Sequence, residues 1–376
     1  MRNKIIILLF LLLSLPFCGK GKGKGKIESL ADMASKVTIG EYYVVSGMYV
    51  DYKGNVYIPN TSKTSIDKYS PEGKFLLSFG RKGEGPGEFR YVPFFAVDTR
   101  GFVYAIDIDW NVSQFDSSGK FLKNYRLPWN LKGTPFMPRF SPLNQLVVST
   151  SFFTSKDIRN AQHYIKVYLL PENGEPLLLL NDDSRSNIVS LYPLRGFLNF
   201  CPHYDFDSQG NIYVSDPVFY KVHVFNPAGK KIREFTRKCE REKISEGDLE
   251  VSNPKIKEEI GNLIAMAKKD ISKLPGNSKY FPCIFNINVD KDRVYLWRPT
   301  RINGKFLVDI YTTDFQFLGQ RSFYNTTGNI NTDTTFIRNG FLYILDIIPE
   351  DPRHLNGRLL LPKIPSAVLK FRVIPM

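Results

Sequence analysis

The chain has 376 residues, a formal net charge of +14 and 14% aromatic side chains, 20 Tyr and 29 Phe among them. Flat rings pack well on pleated surfaces, so this composition favours strands over helices. Residues 1–26 carry six of the positive charges and no acid, leaving +8 for the remainder, a spread-out bias that excludes the dense basic stripe of a nucleic-acid binder.

The first element is an apolar run, residues 5–17, broken only by Ser14 and preceded by Arg2 and Lys4. It falls short of the roughly 20 residues that cross a bilayer, and reads as a secretion signal. It ends at Cys18, and with Leu15 this resembles the lipidation site of bacterial lipoproteins. Cleavage by an ordinary signal peptidase is the alternative, but no small-x-small site lies close to the run. Four Gly-Lys pairs follow. Residues 19–35 are therefore expected to be a flexible, charged tether that lifts the folded part off a membrane. The segments are 1–18 signal, 19–35 tether and 36–376 folded domain.

One turn then recurs, Asp-x-x-Gly-x-apolar-Tyr, from Asp51 to Tyr57, from Asp98 to Tyr104 and from Asp207 to Tyr213. Weaker copies run from Asp290 to Tyr295 and from Arg338 to Tyr343, and a degenerate one from Leu143 to Val147. A second turn follows each of the first five: Ser70-Pro-Glu-Gly73, Asp116-Ser-Ser-Gly119, Pro171-Glu-Asn-Gly174, Asn226-Pro-Ala-Gly229 and Thr312-Thr-Asp-Phe315. Glycine supplies the positive φ of such turns, and Asp, Asn and Ser bond their own backbone. Short apolar or alternating runs separate the turns, so each unit reads as a four-stranded antiparallel sheet. Spacings near the ~40–50 residues of propeller repeats point to a ring of such units.

The stretch Gly83-Glu-Gly-Pro-Gly-Glu-Phe89, followed by Pro93, Asp98, Gly101, Tyr104, Asp107, Phe115, Asp116 and Gly119-Lys120-Phe121, resembles a full NHL repeat. The chain is similar to bacterial six-bladed NHL-like propeller lipoproteins over residues 41–376. The resemblance implies an all-β, six-bladed β-propeller of four-stranded antiparallel blades and a habit of binding; it does not imply an activity. The last blade has only three strands of its own, and residues 36–42 are expected to supply its outer strand and close the ring.

The innermost strand of a blade starts at one face, called here the upper face. The tight turns then fall on the lower face, and the insertions 80–92, 151–163, 181–201, 237–281 and 348–365 all fall on the upper one. Insertions confined to one face commonly build a binding surface. The longest, between blades 4 and 5, carries the one good helical pattern. Ser252 or Asn253 caps it, Pro254 occupies its first turn, and Ile256, Ile260, Leu263, Ile264, Ala267 and Ile271 form an apolar face. Such a helix would lie flat on the upper face, act as a movable cover on the mouth, or bind a partner.

Several inner strands read as beginning Pro-x-apolar, with the residue after proline nearest the axis. That places Phe94, Arg139, His203 and Cys283, with Gly47 and Asp333 as their equivalents in blades 1 and 6, around an axial mouth. Arg139 beside His203 would suit an anion; a structural Arg139–Asp333 pair is favoured slightly. One disulfide among Cys201, Cys239 and Cys283 is open in three pairings, with separate buried thiols preferred. The four His, at 163, 203, 223 and 354, lack metal spacing, and no catalytic residue, metal site or cofactor is expected.

The function expected is a non-enzymatic binding or interaction module in the bacterial envelope. It would be membrane-anchored at Cys18 or periplasmic, with a small molecule, glycan or protein on the upper face and no nucleic acid. One alternative is a calcium-dependent lactonase-like hydrolase or lyase on the same fold, which needs several ligands on the axis where this mouth offers one carboxylate and one His. The other is a scaffold subunit of an envelope complex.

Overall fold

The computed structural model describes residues 28–29, 37–41, 48–60, 63–127, 131–153, 163–171, 175–182, 202–216, 218–243, 280–299, 305–324, 335–349 and 367–375. They form six sheets. Two strands, β1 (Glu28–Ser29) and β2 (Val37–Glu41), precede the first complete sheet. Blade 1 is β3 (Tyr49–Val50), β4 (Val56–Asn60), β5 (Ser65–Tyr69) and β6 (Phe75–Phe79). Blade 2 is β7 (Phe94–Val97), β8 (Val103–Ile106), β9 (Asn111–Phe115) and β10 (Phe121–Arg126). Blade 3 is β11 (Thr134–Phe140), β12 (Leu146–Phe153), β13 (His163–Leu170) and β14 (Leu177–Asp182). Blade 4 is β15 (Tyr204–Phe206), β16 (Ile212–Asp216), β17 (Lys221–Phe225) and β18 (Lys231–Thr236). Blade 5 is β19 (Asn286–Asp290), β20 (Arg293–Pro299), β21 (Lys305–Thr312) and β22 (Phe317–Tyr324). Blade 6 is β23 (Thr335–Arg338), β24 (Phe341–Pro349) and β25 (Ala367–Pro375), with β2 as its outer strand.

The recurrent turn explains its own sequence. In blade 1 the Asp51 carboxylate accepts the backbone N–H groups of Lys53 and Asn55, and Tyr57 donates its hydroxyl to the same carboxylate. Asp98 holds Arg100, Phe102 and Tyr104 in this way, and Asp207 holds Gln209, Asn211 and Tyr213. Gly54, Gly101 and Gly210 stand at φ +82°, +84° and +81°, which a Cβ would strain. Blade 3 has Ser141 in place of the Asp, its hydroxyl accepting the N–H groups of Leu143 and Gln145, and blade 6 has Arg338, so that the N–H groups of Asn339 and Gly340 are taken instead by Asp290 of blade 5.

Between blades lie apolar layers. Val50, Tyr57, Ile66 and Phe79 of blade 1 meet Val97, Val103 and Phe115 of blade 2, and Phe89 joins them. Val147, Val167 and Leu169 of blade 3 meet Tyr204, Ile212 and Val214 of blade 4 in the same manner. Strands buried on both faces read as near-continuous apolar runs, as β4 and β16 do over their first three residues; β19 is as deeply buried but alternates, Asn-Ile-Asn-Val-Asp.

The ring closes as expected: β2 pairs antiparallel with β25, Val37 opposite Phe371 and Glu41 opposite Val368. Within the segment read as a tether, Glu28–Ser29 lies parallel to β22, opposite Phe323 and Tyr324, and gives blade 5 a fifth strand. The helix read over 254–273 lies outside the described residues, as do Cys18 and the signal. One reading is corrected. Cys239 and Cys283 are bonded, with Cα atoms 6.2 Å apart, rather than separate thiols. The two chain segments run side by side there: Phe281 N–H donates to Glu242 O, and Lys243 bridges Tyr280. Cys201 lies outside the described residues.

Candidate functional site

A cleft of about 680 Å³ opens at the upper edge of blade 2. One wall is the connection from blade 1. Gly80, at φ +68°, lets the chain turn tightly over the Phe89 ring, which a Cβ would meet at 2.1 Å. Gly83 N–H donates to Phe89 O, Phe89 N–H to Arg81 O, and Gly85 N–H to the Glu88 carboxylate, which also holds Arg81 at 2.8 Å. With Phe89 buried as a plug, Tyr91 is left 81% exposed on the rim. The opposite wall is the turn after β8. Asp107 accepts the N–H groups of Asp109 and Asn111, and Ile108 projects at 60% exposure. Ser113 and Ala105 line the floor, with Asn124, Tyr125 and Arg126 alongside. Burial raises the Tyr125 pKa, so its hydroxyl stays protonated as a donor. Exposed apolar side chains beside amide, carboxylate and guanidinium groups suit a ligand with one apolar face and several hydrogen-bonding groups.

The axis is filled rather than open at the level of Asp205. This buried side chain of β15 takes the N–H of Val289 from blade 5 at 2.9 Å. Arg338 of blade 6 lies 3.5 Å from it and Arg139 of blade 3 lies 4.0 Å away. Arg139 also donates to Tyr204 O at 2.9 Å and lies over the Phe336 ring. Arg338 stacks between Tyr52 and Phe336. Burial opposes its charge, but Asp205, together with Tyr52, Tyr49 and Asp290, outweighs burial and raises its pKa. Four blades thus meet at one carboxylate.

The residues read as an axial mouth do not all share one level. Phe94 opens β7, is 36% exposed and belongs to the blade 2 cleft. His203 precedes β15 and is buried. Arg139 is lower. β11 starts at Thr134, and its register shifts between Phe136 and Arg139, so Pro138 is not the first residue of the strand. Cys283 is above β19 and is tied into the disulfide. Asp333 and Gly47 lie outside the described residues. Among the described residues, no three His, Cys, Asp or Glu side chains converge as metal ligands. Sequence reasoning missed Asp205 and Arg338, although each interrupts an otherwise apolar strand, Tyr-Asp-Phe and Thr-Phe-Ile-Arg.

Residues 46–206 match the family model DUF5128, described as a 6-bladed beta-propeller. No curated protein matches the chain. Among solved structures, a Bacteroides fragilis NCTC 9343 protein described as exported is 11% identical at TM-score 0.51, covering 92% of this chain and 96% of its own. Regucalcin from Agrobacterium tumefaciens, a calcium-binding protein, is 12% identical at TM-score 0.48, covering 92% and 96%. Virginiamycin B lyase from Staphylococcus aureus is 9% identical at TM-score 0.41, covering 88% and 80%. Likeness at such identities shows the fold alone: the chain is an all-β propeller of antiparallel blades.

Proposed function

We propose that this chain is a non-enzymatic binding module, exported and held at a bacterial envelope membrane through Cys18, with its ligand on the upper face in the blade 2 cleft. The observation that carries the reading is the cleft itself. Its two walls are fixed by internal hydrogen bonds and a buried ring, yet Tyr91, Phe94 and Ile108 stay exposed on them. Exposed apolar groups on a rigid frame are an arrangement that binding uses, because little ordering entropy remains to be lost. The exported relative in Bacteroides fragilis supports the location. The six-blade count and the helical insertion on the upper face belong to the same reading.

Two measurements test it. Soluble oligosaccharides and short peptides are screened by calorimetry against the purified chain and its Tyr91→Ala and Ile108→Ser variants. Binding that both variants weaken supports the cleft; binding that neither alters puts the ligand elsewhere. Separately, Cys18→Ala should move the protein from the membrane fraction to the soluble one. Unchanged fractionation removes the lipid anchor.

A further inference from the structure

We infer that the seam between blades 4 and 5 carries an oxyanion site, built on Arg237 and Arg298, that takes a phosphate or sulfate monoester. Its foundation is Asp309 on β21, whose side chain is fully buried. Tyr220 donates its hydroxyl to this carboxylate at 2.6 Å, and Gln320 donates its amide. Arg237 donates to the Tyr311 hydroxyl at 2.9 Å and reaches Asp309 Oδ2 at 3.4 Å. Arg298 comes within 3.7 Å of the same oxygen. Both guanidiniums lie against the Tyr220 ring, at 5.7 and 5.8 Å, and Arg237 also covers Phe317.

Three consequences follow from this geometry. Two Nη1 atoms anchored on one oxygen are within about 7 Å of each other, a gap that a tetrahedral oxyanion closes with two charge-assisted bonds of about 2.8 Å. Two guanidiniums against one carboxylate leave a positive charge in surplus. Nor does the adjoining stretch 238–243 cancel it, since Lys238, Arg241 and Lys243 there outnumber Glu240 and Glu242. Finally, the acid is behind the bases. Asp309 is buried, while Arg237 is 47% and Arg298 25% exposed, so an incoming anion meets cations first. The hydroxyls, the aromatic shelf and the disulfide two residues beyond Arg237 hold the pair in place, and little freedom remains to be lost on binding. The site is separate from the blade 2 cleft and does not depend on it.

The test uses the purified chain with inorganic phosphate, inorganic sulfate, glucose 6-phosphate and glucose 6-sulfate in calorimetry. Cosedimentation uses vesicles of phosphatidylcholine with and without phosphatidic acid. Arg298→Gln is the informative variant because its guanidinium only borders Asp309 and Tyr220, and thermal melting checks that it folds. At least a tenfold loss of ester affinity with an unchanged melting temperature is expected, and Arg298→Lys should restore only part of it. Binding of soluble esters assigns a free ligand; cosedimentation restricted to phosphatidic acid vesicles assigns a lipid headgroup; both uphold the oxyanion site. Absence of saturable binding in every arm overturns it, as does binding that Arg298→Gln leaves intact. Tyr91→Ala should have no effect on these titrations.

Discussion

Replacing Asp205 by Asn changes one atom and removes one charge at the point where four blades meet. The amide oxygen can still accept the Val289 N–H, so the loss is the charge opposite Arg139 and Arg338. Those two side chains are 10% and 5% exposed, which leaves them little water as a substitute partner. Removing one partner of a buried ionic cluster costs about 3–5 kcal/mol, because the remaining charges stay desolvated. At roughly 2 °C per kcal/mol for a chain of this size, the melting temperature should fall by about 6–10 °C. The assay is urea unfolding followed by tryptophan fluorescence, with a thermal melt alongside. A companion variant, Arg139→Met with Asp205→Asn and Arg338→Met, removes every charge of the cluster while leaving an amide oxygen to accept the Val289 N–H. It should lose less than Asp205→Asn alone, since no charge is left buried without its counterpart. The reasoning is refuted if Asp205→Asn melts within about 2 °C of the parent, or if the triple variant loses as much as the single one.

Three further outcomes follow from other parts of the fold. Gly80→Ala should destabilise blade 1 by about 1–3 kcal/mol, because the new Cβ strains a φ of +68° and meets the Phe89 ring, and urea unfolding reads the loss. Cys239→Ser with Cys283→Ser opens a link spanning 44 residues and should lower stability by up to about 4 kcal/mol, visible as an earlier unfolding midpoint that reducing agent produces in the parent but not in the variant. Burial, and after it Lys231, lowers the pKa of His223, against the opposing pull of Glu234 3.2 Å away. The unfolded chain therefore takes up a proton that the folded chain resists: stability is fully present above about pH 6.5 and declines as pH falls below it. His223→Gln should flatten that decline in urea midpoints measured between about pH 7.5 and 5.5, and an unchanged slope would remove His223 from the account.

The blades were legible because their turns carry obligatory chemistry. A carboxylate that must cap its own turn, a glycine that must stand at positive φ and a tyrosine that must reach back cannot be scattered without losing the turn, so they recur at fixed spacing. The closing strand was legible from the missing fourth strand of blade 6. The axis was not. Reading inner strands from their prolines assumes that every blade starts at the same height, and the register shift in β11 breaks that assumption for Arg139. Asp205 and Arg338 come from blades 4 and 6, and their encounter depends on distances across the ring that no local pattern encodes. The disulfide was open for a similar reason: 44 residues separate two cysteines that become neighbours only because the chain leaves blade 4 and enters blade 5 at one place. The blade 2 cleft lay between these cases, since the insertion 80–92 marked the loop but not the ring that rigidifies it.

The pairing of β2 with β25 also sets a schedule for the chain's emergence. β2 spans residues 37–41 and β25 spans residues 367–375, so the clasp forms only after some 330 residues have followed β2 in synthesis. Until then the growing arc of blades has an open face at each end, each presenting apolar side chains that the finished ring covers. The interval is longest for a chain delivered slowly and vanishes for one delivered all at once. The speed of delivery and the supply of chaperones should therefore govern yield more strongly than the final stability does. A rearranged chain in which residues 37–41 follow residue 375 directly would shorten the wait to a few residues.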